Sequence, residues 1–275
     1  MHATETAAKL EGLEAKLDRL NALLAEHVPL VIAYSGGVDS AYLLAAAHQA
    51  LGDRVLGVIA DSASLPRQAL KEALELAEQI GARVEVVATD EVQDERYASN
   101  PVNRCYFCKA ELFTKLDGLA RERGYAAIAY GENADDMRQV RPGRQAAQEF
   151  AILAPLRDAG LTKAEIRELS RSLDLPTADA PAQPCLSSRI PHGTPVTIEA
   201  LSMIERGEAL VRSLGFKVFR VRHIAGEREI RARVQIAPEE MGGIEPVNEK
   251  LVSGLRAVGY DGVEIDPQGY RSPVS

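Results

Sequence analysis

The stretch VPLVIAYSGGVDS, residues 28–40, decides the fold. Its first half is a short apolar run rich in β-branched residues, which is typical of a buried strand. A glycine loop follows at once, and a helical pattern then continues through Leu51. A strand, a tight loop and a helix in this order predict the first unit of an α/β fold.

The hexapeptide SGGVDS at the end of this stretch combines several groups that bind anions. Gly36 and Gly37 allow the backbone to turn tightly and to expose N–H groups, and the following helix directs its positive dipole end to the same point. Ser35 and Ser40 add hydroxyl donors, and Asp39 is placed to hold Mg²⁺ or to order the loop. The loop predicts a phosphate site, although not a Walker A motif, because GK[ST] is missing. A turn followed by a helix cap is the plainer alternative.

Strands and helices alternate along the chain that follows. Apolar runs predict strands at residues 28–34, 54–60, 83–89 and 125–130. The alternation predicts a parallel sheet with helices on both faces. Residues 90–104 show little periodicity and predict a surface loop, and FAILAPL, residues 150–156, is a candidate fifth strand. Residues 66–80 predict a helix that ends before Gly81, where a glycine suits a C-terminal cap. Thr162 and Glu165 have the spacing of a capping box for a helix over 163–173.

The sequence changes character after Leu175. Residues 175–197 carry five prolines and no amphipathic period, which predicts a long irregular loop, and loops of this kind are usually functional or disordered. Beyond it, the pattern predicts a small α+β unit with helices over 198–214 and up to Ala257 and strands over 216–223, 229–237 and 261–266. We therefore expect a first domain over 1–195 and a small substrate-binding or oligomerisation domain over 196–275.

Composition narrows the classes of function. The chain has 275 residues, of which 46% are hydrophobic, enough for one large or two modest domains without disulfide or metal staples. A net charge of −8 weighs against extended nucleic-acid binding, which needs a broad basic surface. The N-terminal leucines follow a helical period with charges between them, which is typical of neither a signal peptide nor a membrane span. We expect a cytoplasmic protein, and three cysteines argue against a disulfide framework.

A local basic cluster offers an anion site in spite of this acidic balance. In the predicted strand over 216–223, the alternation of side chains puts Arg220 and Arg222 on one face, where both are placed to meet a phosphate. A solvated sheet face is the plainer interpretation, for His223 in particular. Glu208, on the preceding helix, is expected to be an ordinary exposed glutamate.

GENADD, residues 131–136, follows the fourth predicted strand. It is expected at the carboxyl edge of the sheet, where ligands of open α/β folds bind, so Gly131 and Asp135 are candidate nucleotide contacts. Asp135 and Asp136 are also candidates for holding Mg²⁺ beside phosphates. A solvated helix start with acidic residues in its first turn explains the two carboxylates equally well.

All three cysteines lie in motifs, Cys105 and Cys108 as a C-x-x-C pair and Cys185 in PCLSSR. A pair alone indicates a redox site, half a metal site or two small buried residues. Three thiolates predict a [4Fe–4S] cluster with one open iron, while zinc with His192 as fourth ligand, or no metal, remains open. Arg189 is placed to favour the Cys185 thiolate or to bind a phosphate, and a surface salt bridge is the alternative.

The loop SGGVDS resembles the PP-loop of the ATP pyrophosphatases, which bind the pyrophosphate of ATP and release it. With RCYFCKAELF, GENADD followed by RPGR, PCLSSRIPHGT and EIDPQGYRS, the chain resembles the LarE family, the ATP-dependent sulfur transferases of nickel-pincer nucleotide cofactor synthesis. The resemblance runs from about residue 10 to the end. It implies an enzyme that activates a pyridinium biscarboxylate mononucleotide with ATP and converts its carboxylates to thiocarboxylates.

The resemblance also implies roles for single residues. Ser62, after the second strand, stands where the superfamily holds adenine and ribose. Cys185 matches the sulfur-delivering cysteine, which in some members gives up its sulfur and becomes dehydroalanine. Other members have cysteines at the positions of Cys105 and Cys108 as well, and hold an iron–sulfur cluster that relays sulfide. This sequence matches the second pattern and so departs from the purely sacrificial one. The implied cofactors are ATP, Mg²⁺ and this cluster, and the implied partners are a nucleotide substrate, an external sulfide or sulfur donor and further copies of the chain.

Two other classes of function remain open at this stage. A PP-loop tRNA thiolase would suit three cysteines, yet the acidic charge and the lack of an evident RNA-binding segment disfavour it. An amide-forming synthetase would need an ammonia source and would leave the cysteines unused. A protein that senses ATP without turnover is the alternative of a different class.

Overall fold

The computed structural model describes residues 2–138, 142–181 and 183–270 of the chain. Its α-helices are α1 (His2–Ala25), α2 (Val38–Leu51), α3 (Arg67–Ile80), α4 (Glu95–Ala98), α5 (Arg104–Arg123), α6 (Pro142–Glu149), α7 (Pro155–Asp158), α8 (Lys163–Ser172), α9 (Ile198–Ser213) and α10 (Asn248–Val258). Its strands are β1 (Leu30–Ala33), β2 (Val55–Asp61), β3 (Val84–Ala88), β4 (Ala127–Tyr130), β5 (Phe219–Ala225), β6 (Ile230–Ile236) and β7 (Gly262–Ile265). Within these described ranges, no helix is both long and apolar enough to serve as a membrane span.

The chain divides into two compact units, and neither is a continuous stretch. The first unit contains residues 1–89 and 103–183, and the second contains residues 90–102 and 184–275. The boundary expected after Pro195 falls within the chain of the second unit. The second half of the proline-rich loop therefore belongs with the small α+β unit.

A parallel sheet of four strands, in the order β3-β2-β1-β4, forms the centre of the first unit. Leu30, at the start of β1, pairs with Val55 of β2 on one side and with Ala127 of β4 on the other. The chain thus runs outward from β1 to β3 and returns to the opposite side of β1 for β4. The loops after β1 and β4 flank the point where the strand order reverses, which is where open α/β sheets bind ligands.

Helices cover both faces of this sheet, as the alternation of elements predicts. Leu30 and Ile32 of β1 lie in a core shared with α1, α2, α3 and α8. Val31, whose side chain points to the opposite face, lies in a second core with Phe113 of α5 and Ala146 of α6. Burying one large apolar side chain stabilises a fold by about 1.5–3 kcal/mol, so the two cores hold the loops at the sheet edge in place.

Two local predictions are confirmed at the ends of helices. Gly81 ends α3 in the left-handed conformation, with φ of 78°, which a residue without a Cβ adopts at little cost. At the start of α8, the Thr162 side chain accepts a hydrogen bond from the backbone N–H of Glu165, and the Glu165 side chain accepts one from the Thr162 N–H. This capping box fixes where α8 begins.

The predicted fifth strand over 150–156 is wrong. The chain there makes an isolated parallel bridge between Ala129 and Leu153, and α7 begins at Pro155. Proline lacks the N–H that a ladder needs, yet it suits the first turn of a helix. The apolar run is thus explained by burial beside β4 rather than by a full strand.

The predicted surface loop over 90–104 is also wrong. Residues 91–93 form a 3₁₀ turn, α4 follows, and the side chains of Tyr97 and Asn100 are fully buried. The hydrogen-bond partners of these two side chains include residues about 90 positions later in the sequence. A window of neighbouring residues therefore gives no sign that the segment is buried.

The second unit is built on the sheet β5-β6-β7, in which β5 and β6 are antiparallel and β6 and β7 are parallel. Its core contains Val221 of β5, Val211 of α9 and Leu255 of α10. Along β5, alternate side chains are buried, while Arg220 and Arg222 share the other, half-buried face. The prediction that these two arginines lie on one face of a strand is confirmed.

Candidate active site

The nucleotide loop, defined as residues 35–40, joins β1 to α2. The hydroxyl oxygen of Ser40 lies 3.0 Å from the carbonyl oxygen of Gly37 and 3.0 Å from the hydroxyl oxygen of Ser35, and it accepts a hydrogen bond from the Ser35 N–H at 3.1 Å. The two hydroxyls that were expected to face a ligand therefore contact each other, and the buried Ser40 hydroxyl braces the loop. Gly37 caps α2 without any side-chain hydrogen bond, so the cap leaves the start of this helix to a ligand.

Two glycines are required where the nucleotide loop touches its neighbours. Gly36 has φ of 74°, and a Cβ there would lie 2.7 Å from the Cβ of Ala73 in α3. A Cβ on Gly131, just after β4, would lie 2.6 Å from the backbone nitrogen of Ser40 and 2.8 Å from the carbonyl carbon of Asp39. Gly131 thus sets the position of the loop by close backbone approach, in addition to its expected role beside the nucleotide.

Lys163 is a site residue that the sequence reasoning missed. Its ammonium group donates to Asp39 Oδ2 at 2.6 Å, which joins the start of α8 to the nucleotide loop. A lysine in the first turn of a helix opposes the helix dipole, and this mismatch is a sequence signal that could have found it. Asp39 Oδ1 is buried, and among the described residues it has no hydrogen-bond partner. A buried carboxylate oxygen left in this way fits a bound cation such as Mg²⁺.

GENADD forms a turn that is bonded to itself and to α8. The side chain of Asn133 accepts hydrogen bonds from the N–H groups of Asp135 and Asp136, at 2.9 and 3.2 Å. Asp135 Oδ2 accepts the backbone N–H of Lys163 at 2.8 Å. Asp135 therefore helps to orient the lysine that reaches Asp39, while Asp136 is buried in the turn.

A buried charged cluster supports this turn from the other side. Glu132 is 3% exposed and accepts hydrogen bonds from Arg144 Nε at 2.7 Å and from Arg157 Nη1 at 2.8 Å. Burial by itself would raise the pKa of Glu132, but the hydrogen bond from Arg144 and the charges of both arginines outweigh it, so the pKa is lowered. Arg144, from the RPGR motif, also donates to the carbonyl oxygen of Asp136. Glu132 therefore stays ionised, and its two ion pairs fix the loop after β4.

The segment after β2 is held by Arg67. The Arg67 guanidinium pairs with Asp61 at 2.5 Å and donates to the carbonyl oxygen of Ser62 at 2.9 Å. The Ser62 hydroxyl is buried, 2.8 Å from the hydroxyl of Ser64. Ser62 is therefore placed in a braced turn at the end of β2, and its contact with adenine and ribose remains a prediction.

The three cysteines are thiols rather than halves of disulfides. Cys105 is exposed and Cys108 is half-buried, both in the first two turns of α5 in the first unit. Cys185, in the second unit, is half-buried and immediately precedes a 3₁₀ turn over 186–189. Among the described residues, no group of three or more histidine, cysteine, aspartate or glutamate side chains is arranged to hold a metal ion.

Glu208 is buried, and the expectation of an ordinary exposed glutamate is wrong. Its carboxylate forms a two-pronged ion pair with Arg189, at 2.9 and 3.0 Å, and the two side chains are 8% and 4% exposed. It also accepts the backbone N–H of Val221 at 3.2 Å. A buried charge needs such partners, and they lie on a different loop and strand, which the helical pattern of α9 does not reveal.

The remaining N–H donors of Arg189 bond to residues of its own loop. Its Nη1 donates to the carbonyl oxygens of Pro184 and Cys185, at 2.6 and 3.0 Å, and to the hydroxyl of Ser188 at 2.9 Å. The alternative of a surface salt bridge is excluded, because the pair with Glu208 is buried. Arg189 holds the backbone on which Cys185 stands, and an action on its thiol or on a phosphate remains a prediction.

Arg220 and Arg222 complete a group of guanidinium side chains in the second unit. Arg222 donates to the side-chain oxygen of Gln235 and to the carbonyl oxygen of Ser188, both at 2.8 Å. The Arg220 guanidinium lies 4.6 Å from the ring centroid of Tyr270. Burial, and then the positive charge of Arg189, lower the pKa of both Arg220 and Arg222. Cations that are partly stripped of water and close to other cations attract an anion.

His223 points to the opposite side of β5 from the two arginines. It is 4% exposed, and its ring meets that of Tyr260 edge to face at 5.7 Å. His223 Nδ1 and the Tyr260 hydroxyl are both buried without a hydrogen-bond partner among the described residues. The structure therefore places His223 in the core of the second unit.

The sequence is similar to a protein family and to several proteins of known sequence. Residues 14–138 match the NAD synthase family. An uncharacterized protein of Synechocystis is 40% identical over 94% of this chain and 96% of its own length. A pyridinium-3,5-bisthiocarboxylic acid mononucleotide synthase of Lactiplantibacillus plantarum is 31% identical over 94% of this chain and 93% of its own length. An uncharacterized protein of Methanocaldococcus jannaschii is 27% identical over 88% and 91%.

Proposed function

Because the chain belongs to the LarE family, we propose that it is an ATP-dependent sulfur transferase that acts on pyridinium-3,5-biscarboxylic acid mononucleotide. The enzyme activates each carboxylate with ATP and replaces one of its oxygens with sulfur. The similarity to a bisthiocarboxylic acid mononucleotide synthase over nearly the whole of both chains supports the substrate. The nucleotide loop supports the use of ATP.

The observation that carries this proposal is the pair Asp39–Lys163 at the start of α2. When ATP binds, the N–H groups at this helix end and the Lys163 ammonium meet the phosphates, and the buried Oδ1 of Asp39 would hold Mg²⁺. A bound Mg²⁺ would supply positive charge that neutralises the pyrophosphate leaving group. Asp135 keeps Lys163 in position, and Gly131 and Ser62 flank the nucleoside.

The reaction comprises adenylylation and then sulfur transfer, which proceeds through a thioester. A substrate carboxylate oxygen attacks the α-phosphorus of ATP, and pyrophosphate leaves, which produces an acyl adenylate. The thiolate of Cys185 then attacks the acyl carbon, and AMP leaves with the former carboxylate oxygen, so a thioester is formed. In the sacrificial route, loss of the Cys185 Cα proton to a base, with cleavage of the Cβ–Sγ bond, would release the thiocarboxylate and leave dehydroalanine.

Arg220 and Arg222 supply the anion contacts of the second unit. Burial removes part of the water around both guanidinium groups and lowers their pKa, and the same loss of water strengthens an interaction with a phosphate. We assign them to the phosphate of the mononucleotide. Arg189 holds the Cys185 carbonyl and is not needed as a phosphate ligand in this scheme.

A [4Fe–4S] cluster on Cys105, Cys108 and Cys185 remains a hypothesis, and no step of the scheme above passes through one. In its favour stand three thiols, which match the cluster-holding members of the family. Assembly into homo-oligomers and an external sulfide donor are likewise predictions from the family, and a cytoplasmic location is a prediction from the sequence. The iron and acid-labile sulfide content of protein purified without oxygen tests the cluster directly.

The decisive experiment follows pyrophosphate and thiocarboxylate separately. Protein purified without oxygen is mixed with MgATP and the biscarboxylate nucleotide, and the products and the intact protein are measured by mass spectrometry. We expect pyrophosphate release that depends on the nucleotide, and thiocarboxylate formation that Cys185→Ala abolishes while adenylylation continues. Loss of the elements of H₂S from Cys185 identifies sacrificial transfer, and repeated turnover that Cys105→Ala abolishes identifies the cluster route. Pyrophosphate release that needs no biscarboxylate, or needs tRNA or ammonia instead, contradicts the proposal.

A further inference from the structure

Asn100 binds three carbonyl groups of the loop that carries Cys185. We call residues 184–196 the cysteine loop. The side-chain NH₂ of Asn100 lies 2.8 Å from the carbonyl oxygens of Pro191 and Thr194 and 3.4 Å from that of Ile190. Asn100 is fully buried, so water does not compete for these contacts. One amide thus satisfies several carbonyls in a stretch without regular secondary structure.

The backbone beside Asn100 adds further ties to the same loop. The Gly193 N–H donates to the carbonyl oxygen of Asn100 at 3.0 Å, and the Val196 N–H donates to that of Ala98 at 2.8 Å. Asn100 itself has φ of 56°, in the left-handed region that asparagine tolerates better than most residues. Both the side chain and the backbone conformation at this position therefore call for asparagine.

A third tie reaches the end of the loop that lies next to the thiol. The hydroxyl oxygens of Tyr97 and Ser187 are 2.6 Å apart, and both side chains are buried. Ser187 lies two residues after Cys185 in the sequence. On the other side, Arg189 holds the carbonyl of Cys185 and is itself fixed by Glu208. The contacts from Tyr97 and Asn100 thus act along the loop from Ser187 to Thr194, and the bond to Ala98 extends them to Val196.

We propose that Tyr97 and Asn100 are positioning residues for Cys185, acting through the cysteine loop without touching the substrate. The proposal rests on the sulfur-transferring role of Cys185. Attack on an acyl adenylate requires the thiolate to be aligned within a fraction of an ångström, so a loop that shifts slows this step. Adenylylation does not use the thiol, and it is expected to continue.

The test separates the two steps of the reaction in three variants. Asn100→Asp has the same shape but replaces the N–H donors with an oxygen that the three carbonyls repel, and we expect thiocarboxylate formation to fall by about 10²-fold. Tyr97→Phe removes one hydroxyl and is expected to give a smaller loss. In both variants, we expect the KM for ATP and the nucleotide-dependent release of pyrophosphate in the first turnover to stay within about twofold of the unmodified protein. A loss confined to the sulfur-transfer step indicates a weaker stabilisation of that transition state alone. Asn103→Asp, an exposed neighbour that caps α5 without a side-chain hydrogen bond, is the matched control.

The hydroxyl pair can be examined on its own with a double-mutant cycle. If Tyr97 and Ser187 act as one unit, Tyr97→Phe combined with Ser187→Ala slows sulfur transfer no more than the more damaging single substitution does. Strictly additive losses contradict a shared action. Equal loss of adenylylation and sulfur transfer in Tyr97→Phe overturns the proposal, because the effect is then one of general folding.

A second readout does not depend on the reaction. The rate at which Cys185 is alkylated by iodoacetamide, followed by mass spectrometry of its peptide, reports where the loop holds the thiol. We expect an altered rate in Asn100→Asp and Tyr97→Phe and an unchanged rate in Asn103→Asp. An unchanged rate in all three overturns the positioning role, even if the unmodified protein makes thiocarboxylate. An altered rate in a protein that makes no thiocarboxylate supports the positioning role while the proposed function fails.

Discussion

The nucleotide loop and the cysteine loop differ in how many of their polar groups are left for a ligand. The nucleotide loop is braced by its own serines, and it keeps a helix end without a side-chain cap and a buried carboxylate oxygen for a ligand. In the cysteine loop, carbonyl oxygens of the backbone are taken up by Arg189, Asn100 and Arg222. A loop that binds a ligand leaves some of its polar groups without protein partners, whereas a loop that presents one reactive atom has its backbone held by hydrogen bonds from the protein. Substitutions are expected to affect ligand use in the first loop and stability or alignment in the second.

The largest effect is expected at Glu208. Glu208→Ala leaves Arg189 as a buried charge without its carboxylate partner, which destabilises a protein by about 3–5 kcal/mol. Urea unfolding measures the loss as a lower midpoint. Glu199→Ala on the same helix, at an exposed position in its first turn, is the control and is expected to change stability by less than about 1 kcal/mol. Equal losses in the two variants would break the comparison, because Arg189 would then not depend on Glu208.

Lys163 comes next, and it tests the nucleotide loop. Lys163→Met removes the ammonium group that meets the phosphates, and losing one such electrostatic contact lowers kcat by about 10²–10³-fold. Pyrophosphate release under saturating nucleotide is the measurement. The matched control is Lys16→Met in α1, which breaks the 2.7 Å ion pair of Lys16 with Glu165, a residue of α8 like Lys163. If both variants have the same kcat as the unmodified protein, Lys163 does not bind the phosphates.

Gly131 probes the close approach of the loop after β4 to the nucleotide loop. In Gly131→Ala the new Cβ would meet backbone atoms of Asp39 and Ser40, so the nucleotide loop must shift, and displacements of this size cost about 10²-fold in rate. The assay is again pyrophosphate release. A Cβ on Gly118, in α5, meets no atom within 4 Å, so Gly118→Ala is the control and is expected to be neutral or slightly stabilising. Full activity in Gly131→Ala would show that the loop yields without harm.

The smallest effect concerns the core of the second unit and pH. Burial lowers the pKa of His223 below its ordinary value of 6.5, so the unfolded chain takes up a proton at this residue more readily than the folded one. Stability is therefore retained above about pH 6.5 and decreases as the pH falls through the lower, folded value. His223→Phe is expected to make the decrease shallower in urea unfolding between pH 7.5 and 5.5. The exposed His192→Gln serves as control, and a slope that both substitutions leave unchanged would contradict the assignment.

Much of the fold follows from periodicity within short windows. The four parallel strands, the capping box at Thr162 and the left-handed end of α3 at Gly81 depend on residues a few positions apart, and all are confirmed. The buried segment around Tyr97 and Asn100 was predicted as a surface loop. Its burial depends on partners 90 or more positions away, which no local pattern contains. The run around Leu153 was misjudged because an apolar stretch beside a sheet need not pair fully with it.

For the candidate site as well, local patterns predicted some residues correctly and missed those that depend on distant partners. Motif reasoning found the nucleotide loop, and alternation correctly put Arg220 and Arg222 on one face. It missed Lys163, which stands far from the loop in sequence and reaches Asp39 only through the fold. It misjudged Glu208, because a charged residue on a helix is usually exposed and only its neighbours in space reveal an ion pair.

The interleaving of the two units has a consequence for anyone who cuts or rejoins this chain. Each unit needs two separate stretches, so a fragment ending at Gln183 would carry residues 90–102 without the loop they bind, and a fragment starting at Pro184 would lack them. Ribosomes add residues in order, so the ties of Tyr97 and Asn100 to the cysteine loop cannot form until that loop has been made. To isolate the second unit, one would have to graft residues 90–102 onto it through a new linker. Such a rearranged polypeptide would show whether the thiol-bearing loop can be built apart from the sheet that precedes it.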